Sequence, residues 1–266
     1  MRTIISLFVV IFISGCAQVY VPPIPDYSVS KQGKIAIYVQ TKNNPTHTHI
    51  GTTIFNNFEK AYPFSWNMQR SIVDSFTDEL QGKLGYQVVD ISDDTLATKL
   101  TNFVEIKNKQ WQFTQNSAQH RNFLIEQGYE AVIVIRESPS LASLECSQYG
   151  CNEFYSQGVG LFTRSFLGMD RYHASASYDI SIELLTLPIE LTQLNEFRAM
   201  TQWQRKNKLV DSFNDPKVFD DITEQELKPI QDEILNYFTE LAQLTGSYMN
   251  YSNPPKNEAA KTASTQ

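Results

Sequence analysis

The sequence predicts an α/β domain built on a mixed sheet, and three observations carry that prediction. In the first half, two stretches of helical period separate three short β-rich runs, the order of a sheet made by helix crossovers. In the second half, Arg171–Leu187 alternates apolar and polar residues for most of its length, which fits a long half-buried antiparallel strand. Near the end, Thr223–Thr245 carries one apolar stripe and closes the domain as a helix.

Taken in order, Lys34–Thr41 is the first strand, a short apolar run suited to the interior of a sheet. Asn43–Pro63 mixes turn residues with scattered aromatics and reads as a loop or hairpin. Trp66–Leu84 is helical, with Ile72, Val73, Phe76, Leu80 and Leu84 at three- and four-residue spacing. Gly85 is placed to end that helix in a left-handed conformation. Tyr86–Ile91 is the second strand. A short helix opens near Asn116 and stops at Gly128, and Tyr129–Arg136 is the most strand-like run in the chain.

Ser138–Gly158 reads as a loop. Gly158–Met169 is rich in Gly and Phe and reads as flexible turns, with an exposed docking patch as the functional alternative. Pro188 ends the alternating strand, Pro188–Asn195 makes a turn, and Glu196–Val210 is expected to return as the partner strand of a long antiparallel hairpin. Thr223 and Glu226 have capping-box spacing, and Pro229 suggests that the last helix begins nearer Lys228 or kinks there. Ser247–Gln266 is polar, contains Pro254 and Pro255, and reads as a disordered tail.

The first sixteen residues set the expected location. Arg2 is followed by the apolar run Ile4–Ile13 and then by Ser14-Gly15-Cys16. This ten-residue run, apolar except for Ser6, is half of what a bilayer-spanning helix needs, and a basic start with a small-residue ending is the layout of a secretory signal. The Ile13–Cys16 stretch resembles the bacterial lipobox. That resemblance implies removal of residues 1–15 and acylation of Cys16. With Ala17 and not Asp after the cysteine, it further implies an outer-membrane address facing the periplasm. Two or three acyl chains would anchor stably where one would not. Ala17–Lys31, with Pro22, Pro23 and Pro25, is expected to be an extended tether, and residues 32–246 the folded domain.

Of the three cysteines, lipidation leaves Cys146 and Cys151, which an oxidising compartment would join as a structural disulfide. Their spacing is wrong for a Cys-x-x-Cys redox pair. The 266 residues have a formal net charge of −7, are 41% hydrophobic and include 12% aromatics. That composition belongs to a chain with a sizeable core, and it lacks the basic patch that nucleic-acid binding requires.

Four constellations hold residue types that can carry chemistry. His47 and His49 would share a face in a strand and could chelate a metal, but no acid or cysteine cluster completes a site nearby, so exposed loop histidines are expected. His173, Ser175 and Asp179 have the residue types of a hydrolase triad. On one strand, however, Asp179 would lie about 20 Å from His173 and could not orient it. Gly158, Gly160 and Gly168 lack the Lys-Ser/Thr of a phosphate loop. Asp93-Asp94 and Asp220-Asp221 read as solvated loop or cap residues. No catalytic residue, metal ligand or cofactor site is assigned.

The order of elements, together with the segment Gly128–Val134, resembles the periplasmic lipoproteins built on a TolB amino-terminal-like domain. That group includes curli-secretion lipoproteins and activators of penicillin-binding proteins. The resemblance covers Lys34–Gly246 and implies action by binding other proteins. The expectation is therefore a non-enzymatic outer-membrane lipoprotein that binds or assembles another envelope component. The alternatives are a periplasmic hydrolase and an oligomeric secretion channel with Phe154–Leu187 in membrane-facing hairpins.

Overall fold

The computed structural model describes residues 20–94, 100, 102–206, 208–214, 216 and 218–252, with backbone alone at 144–146 and 201–206. The elements run β1 (Tyr27–Ser28), β2 (Lys34–Gln40), β3 (Thr46–Ile50), β4 (Phe58–Ala61), α1 (Met68–Phe76, continued by a π-helix over Thr77–Lys83), β5 (Gln87–Asp90), β6 (Val104–Lys107) and β7 (Gln110–Phe113). They continue α2 (Ala118–Glu126), β8 (Tyr129–Glu137), β9 (Ser140–Ser147), β10 (Gly150–Ser156), β11 (Val159–Phe166), β12 (Met169–Ala176), β13 (Tyr178–Leu184) and β14 (Ile189–Glu190). The last are α3 (Asn195–Lys206), β15 (Lys208–Leu209), α4 (Lys228–Ser247) and β16 (Asn250–Tyr251).

The domain is α/β, with two five-stranded mixed sheets joined at their ends. The first has the order β14-β13-β8-β2-β5, with β2 parallel to both β5 and β8 and β13 antiparallel to β8. Every residue from Ile35 to Val39 is buried, because helices cover both faces. Ile35, Ile37, Ile133 and Ile135 pack with α1 and α4. Ala36, Tyr38, Val132 and Val134 pack on the other face with Leu124 of α2 and with Phe103. The helix stops fall where glycine permits them: Gly85 has φ +74° and Gly128 φ +86°. The last helix begins at Lys228 with Pro229 in its first turn, as expected. Thr223 and Glu226 close the turn ahead of it through reciprocal bonds.

The second sheet has the order β15-β12-β11-β3-β4, with β3 and β11 parallel. Its near ends, at Thr46, Val159 and Ala176, adjoin the carboxyl ends of β2 and β8 and the start of β13. Its far end holds the Phe166–Met169 turn and the segment after Ile50. At Gly160 a Cβ would lie 2.1 Å from the Thr46 carbonyl, so glycine is required for β3 and β11 to approach.

Several expectations are corrected. Arg171–Leu187 is not one strand. It breaks at Ser177 into β12 and β13, which belong to different sheets. At the break, Ser177 donates its N–H to Gly158 and accepts from the Ser138 N–H. Much of the alternating polar face is not solvated either: Ser175, Ser177 and Glu183 are buried, whereas Asp179 is exposed. Ser175 and Ser156 hydroxyls meet at 2.6 Å, and Ser177 and Ser140 at 3.0 Å. The polar groups thus find partners inside, which a period-two pattern cannot reveal.

Glu196–Val210 supplies only a two-residue partner strand, β15, which pairs antiparallel with His173 and Ala174 of β12, because Asn195–Lys206 is helix α3. Its Glu, Gln, Arg and Lys residues favour helix, and Phe197 and Met200 are three apart, so both periods fit the stretch. Phe197 is fully buried against the Tyr248 ring. The long hairpin with Arg171–Leu187 therefore does not exist. Instead, Ser138–Gly158, expected as loop, contains the antiparallel hairpin β9–β10. Asn43–Pro63 does form a hairpin, β3–β4.

The expected tether is packed from Val21 onward. Ile24 and Val29 are buried, β1 pairs with β16, and the Trp111 indole N–H donates to the Pro22 carbonyl at 3.0 Å. The expected tail is likewise ordered at its start, with Met249 buried. Residues 253–266 lie outside the described residues.

Candidate functional site

The far end of the second sheet is the strongest candidate. β11 and β12 are joined by the two residues Leu167-Gly168, with Phe166 paired to Met169. Both turn residues have positive φ, +51° and +81°. Such hairpin turns normally take Asn-Gly or Asp-Gly, because a left-handed backbone disfavours a larger side chain. Here the first position is Leu167, and it is 72% exposed. The conformation is thus unfavourable, and no burial of that side chain offsets it.

Beside this turn, the loop after β3 exposes Ile54 and Phe55, the latter at 94%, and Phe166 and Met169 are also exposed. The two loops are held together by polar bonds. The Leu167 N–H donates to Thr52 Oγ1 at 3.0 Å. The Arg164 guanidinium donates to the carbonyls of Gly51 at 2.8 Å and Ser165 at 2.7 Å. Five bulky apolar side chains therefore project from a pre-ordered tip. Patches of this kind on a monomer are commonly functional.

Beneath the tip lie His47 and His49, which the sequence placed in an exposed loop. Both are in β3 and buried. Thr163 Oγ1 sits 2.8 Å from His47 Nε2 and 2.5 Å from His49 Nδ1. His47 Nδ1 sits 2.9 Å from the Tyr62 hydroxyl, which donates to the Phe219 carbonyl. One assignment gives every bond a proton: His49 donates to Thr163, Thr163 to His47, and His47 to Tyr62. Both rings are then neutral. Burial pushes the His47 pKa down to about 3, reinforced by His49 and Lys60 and opposed by Asp220. Burial also lowers that of His49. The relay ties β3, β4 and β11 to the segment before α4. Among the described residues, no group of three or more His, Cys, Asp or Glu could hold a metal.

Asp220 is exposed, as expected of a cap residue, but it accepts a 2.6 Å bond from Lys60, which holds its carboxyl below the usual range. His173 and Ser175 lie on β12, whereas Asp179 lies on β13 beyond the Ser177 break, so the three do not assemble a triad. Cys16 and the side chain of Cys146 lie outside the described residues. Cys151 is disulfide-bonded and sits at the bulge of β9–β10.

Two features escaped the sequence reading. The Leu-Gly turn carried a signal, since an apolar residue stands where hairpin chemistry favours Asn. Glu183 carried none. It is fully buried and accepts from the N–H groups of Phe103 at 3.0 Å and Val104 at 3.1 Å. Burial pushes its pKa up to about 7, opposed by those bonds and raised further by Glu190, its register partner on β14.

No protein-family model matches the chain, and no curated protein matches it.

Proposed function

We propose that the protein is a non-enzymatic, lipid-anchored docking factor of the bacterial outer membrane. Its apolar tip would seat in a concave apolar surface of another envelope protein. The observation that carries this reading is Leu167, a large apolar side chain held exposed at a left-handed position. The fold alone would be better served there by Asn, so the side chain is explained by an external contact.

The anchor rests on the lipobox-like Ile13–Cys16. Packing of the chain from Val21 shortens the reach: five residue steps from Cys16 span at most about 18 Å. The acyl chains would hold the body close against the lipid and confine it to a thin layer, which raises its effective concentration for a membrane-bound partner. β1 and β16 lie at the amino-terminal end of β2, while the tip lies at the far end of the second sheet, so the tip would be presented away from the anchor.

The test is photocrosslinking in cells from a reactive residue placed at Phe55, in lipidated protein and in Cys16→Ala. The reading expects one discrete protein adduct that weakens in Cys16→Ala. No adduct from either form would overturn it.

A further inference from the structure

A second site lies where the two sheets meet. From β2 the chain passes through α1 to β5 on one side. From β5 it passes through α2 to β8 on the other side, and the two helices cover opposite faces. The carboxyl ends of β2 and β8 therefore form a topological switch point, the position where open α/β sheets place their ligands. A cleft of about 390 Å³ opens there, lined by Gln40, Thr41 and Lys42 after β2, Glu137 and Pro139 after β8, and Gln157 and Gly158 before β11. That volume suits a small ligand or one inserted side chain.

The cleft is built around the Glu137 carboxylate, whose side chain is 13% exposed. Oε2 is fixed by the Lys42 N–H at 2.8 Å and by the Thr41 hydroxyl at 3.1 Å. The Thr41 hydroxyl also meets the Tyr178 hydroxyl at 2.7 Å. Oε1 faces Gly158, where an added Cβ would lie 3.3 Å from it and 2.9 Å from Thr46 Oγ1. Gly158 has φ +67°, so glycine is needed there both for the backbone and for the open space. The ion-pair contact to Oε1 is the Lys42 ammonium, long at 3.6 Å, on a side chain that is 71% exposed. Such a pair is weak and readily displaced.

We propose that this cleft binds a cationic nitrogen group, a primary ammonium or a guanidinium, with Glu137 as its fixed acceptor and Lys42 occupying the position when no ligand is present. Gln40 and Gln157 also line the cleft. The natural source is a lysine or arginine side chain of the docked partner. To that extent the proposal rests on the docking reading, but the cleft is tested without any partner.

The experiment is an NMR titration of the unlipidated Cys16→Ala protein with N-acetyl-lysine methylamide, N-acetyl-arginine methylamide and n-butylamine, with acetate as control. The amide signals of Lys42 and Gly158 should move with the cationic probes and not with acetate. Glu137→Gln keeps an acceptor for Lys42 and Thr41 but loses the charge, and should weaken binding about tenfold. Lys42→Ala removes the competitor and should tighten binding about threefold. A response to n-butylamine as well as to the blocked amino acids shows that the amine alone suffices. A response to the blocked amino acids only shows that the peptide context contributes. No movement in either wild type or Lys42→Ala, or equal binding by Glu137→Gln, overturns the proposal whatever the crosslinking at the tip reports.

Discussion

The two sheets are built differently. The first has an apolar interior: Ile35, Ile37, Ile133 and Ile135 face α1 and α4, and helices cover both sides. The second buries His47, His49, Thr163 and Ser175 and ends in an exposed apolar tip. In the first, stability comes from area removed from water, about 25 cal/mol per Å². In the second, Val159, Leu161, Tyr172 and Ala174 also join the core, but the buried polar groups must each find a partner and a group of apolar side chains stands outside at the tip. The contrast separates a scaffold from the element it presents.

The largest expected effect lies in the scaffold. Ile133→Ala should lower unfolding free energy by about 4 kcal/mol in a denaturant titration, since the site is fully buried between packed layers. A loss below about 1 kcal/mol would mean that the first sheet is not the stabilising unit.

Next comes Glu183, a fully buried acid of the first sheet. Its folded pKa, about 7, lies above the ordinary 4.5. The native state holds its proton to higher pH than the unfolded chain, so this contribution is full below 4.5 and is lost as pH rises through 7. The swing is at most about 3 kcal/mol. Glu183→Gln still accepts from Phe103 and Val104 and should flatten the fall in stability between pH 5 and 8. An unchanged slope would remove Glu183 as its source.

In the second sheet, Thr163→Val strips both histidines of their shared partner. The expected cost is about 2 kcal/mol, because buried ring nitrogens are left unsatisfied. The ring NMR signals of His47 should also leave the neutral Nδ1–H pattern. A neutral substitution would show that water replaces the hydroxyl.

What was legible in the sequence follows the same division. The strands around β2 and β8, the glycine stops at Gly85 and Gly128 and the start of α4 near Lys228 could be read, because their apolar periods reflect burial against helices. In the second sheet, period stopped reporting exposure. Ser175 and Ser177 look solvated but bond other serines, and His47 and His49 look exposed but bond Thr163. The stretch after Asn195 satisfies both periods, and tertiary packing, such as Phe197 against Tyr248, favours the helix. The tip was visible as an aromatic-rich stretch, but its geometry depends on two loops, one of them more than a hundred residues earlier in the chain.

The most direct test of the docking account is Leu167→Asn, read by two measurements on the same protein. Asn suits the left-handed turn, so the variant should gain about 1 kcal/mol in denaturant unfolding. The photocrosslinked adduct from Phe55 should at the same time fall severalfold. A variant that is more stable and crosslinks as well as the parent would contradict the account, because Leu167 would then have no partner to meet.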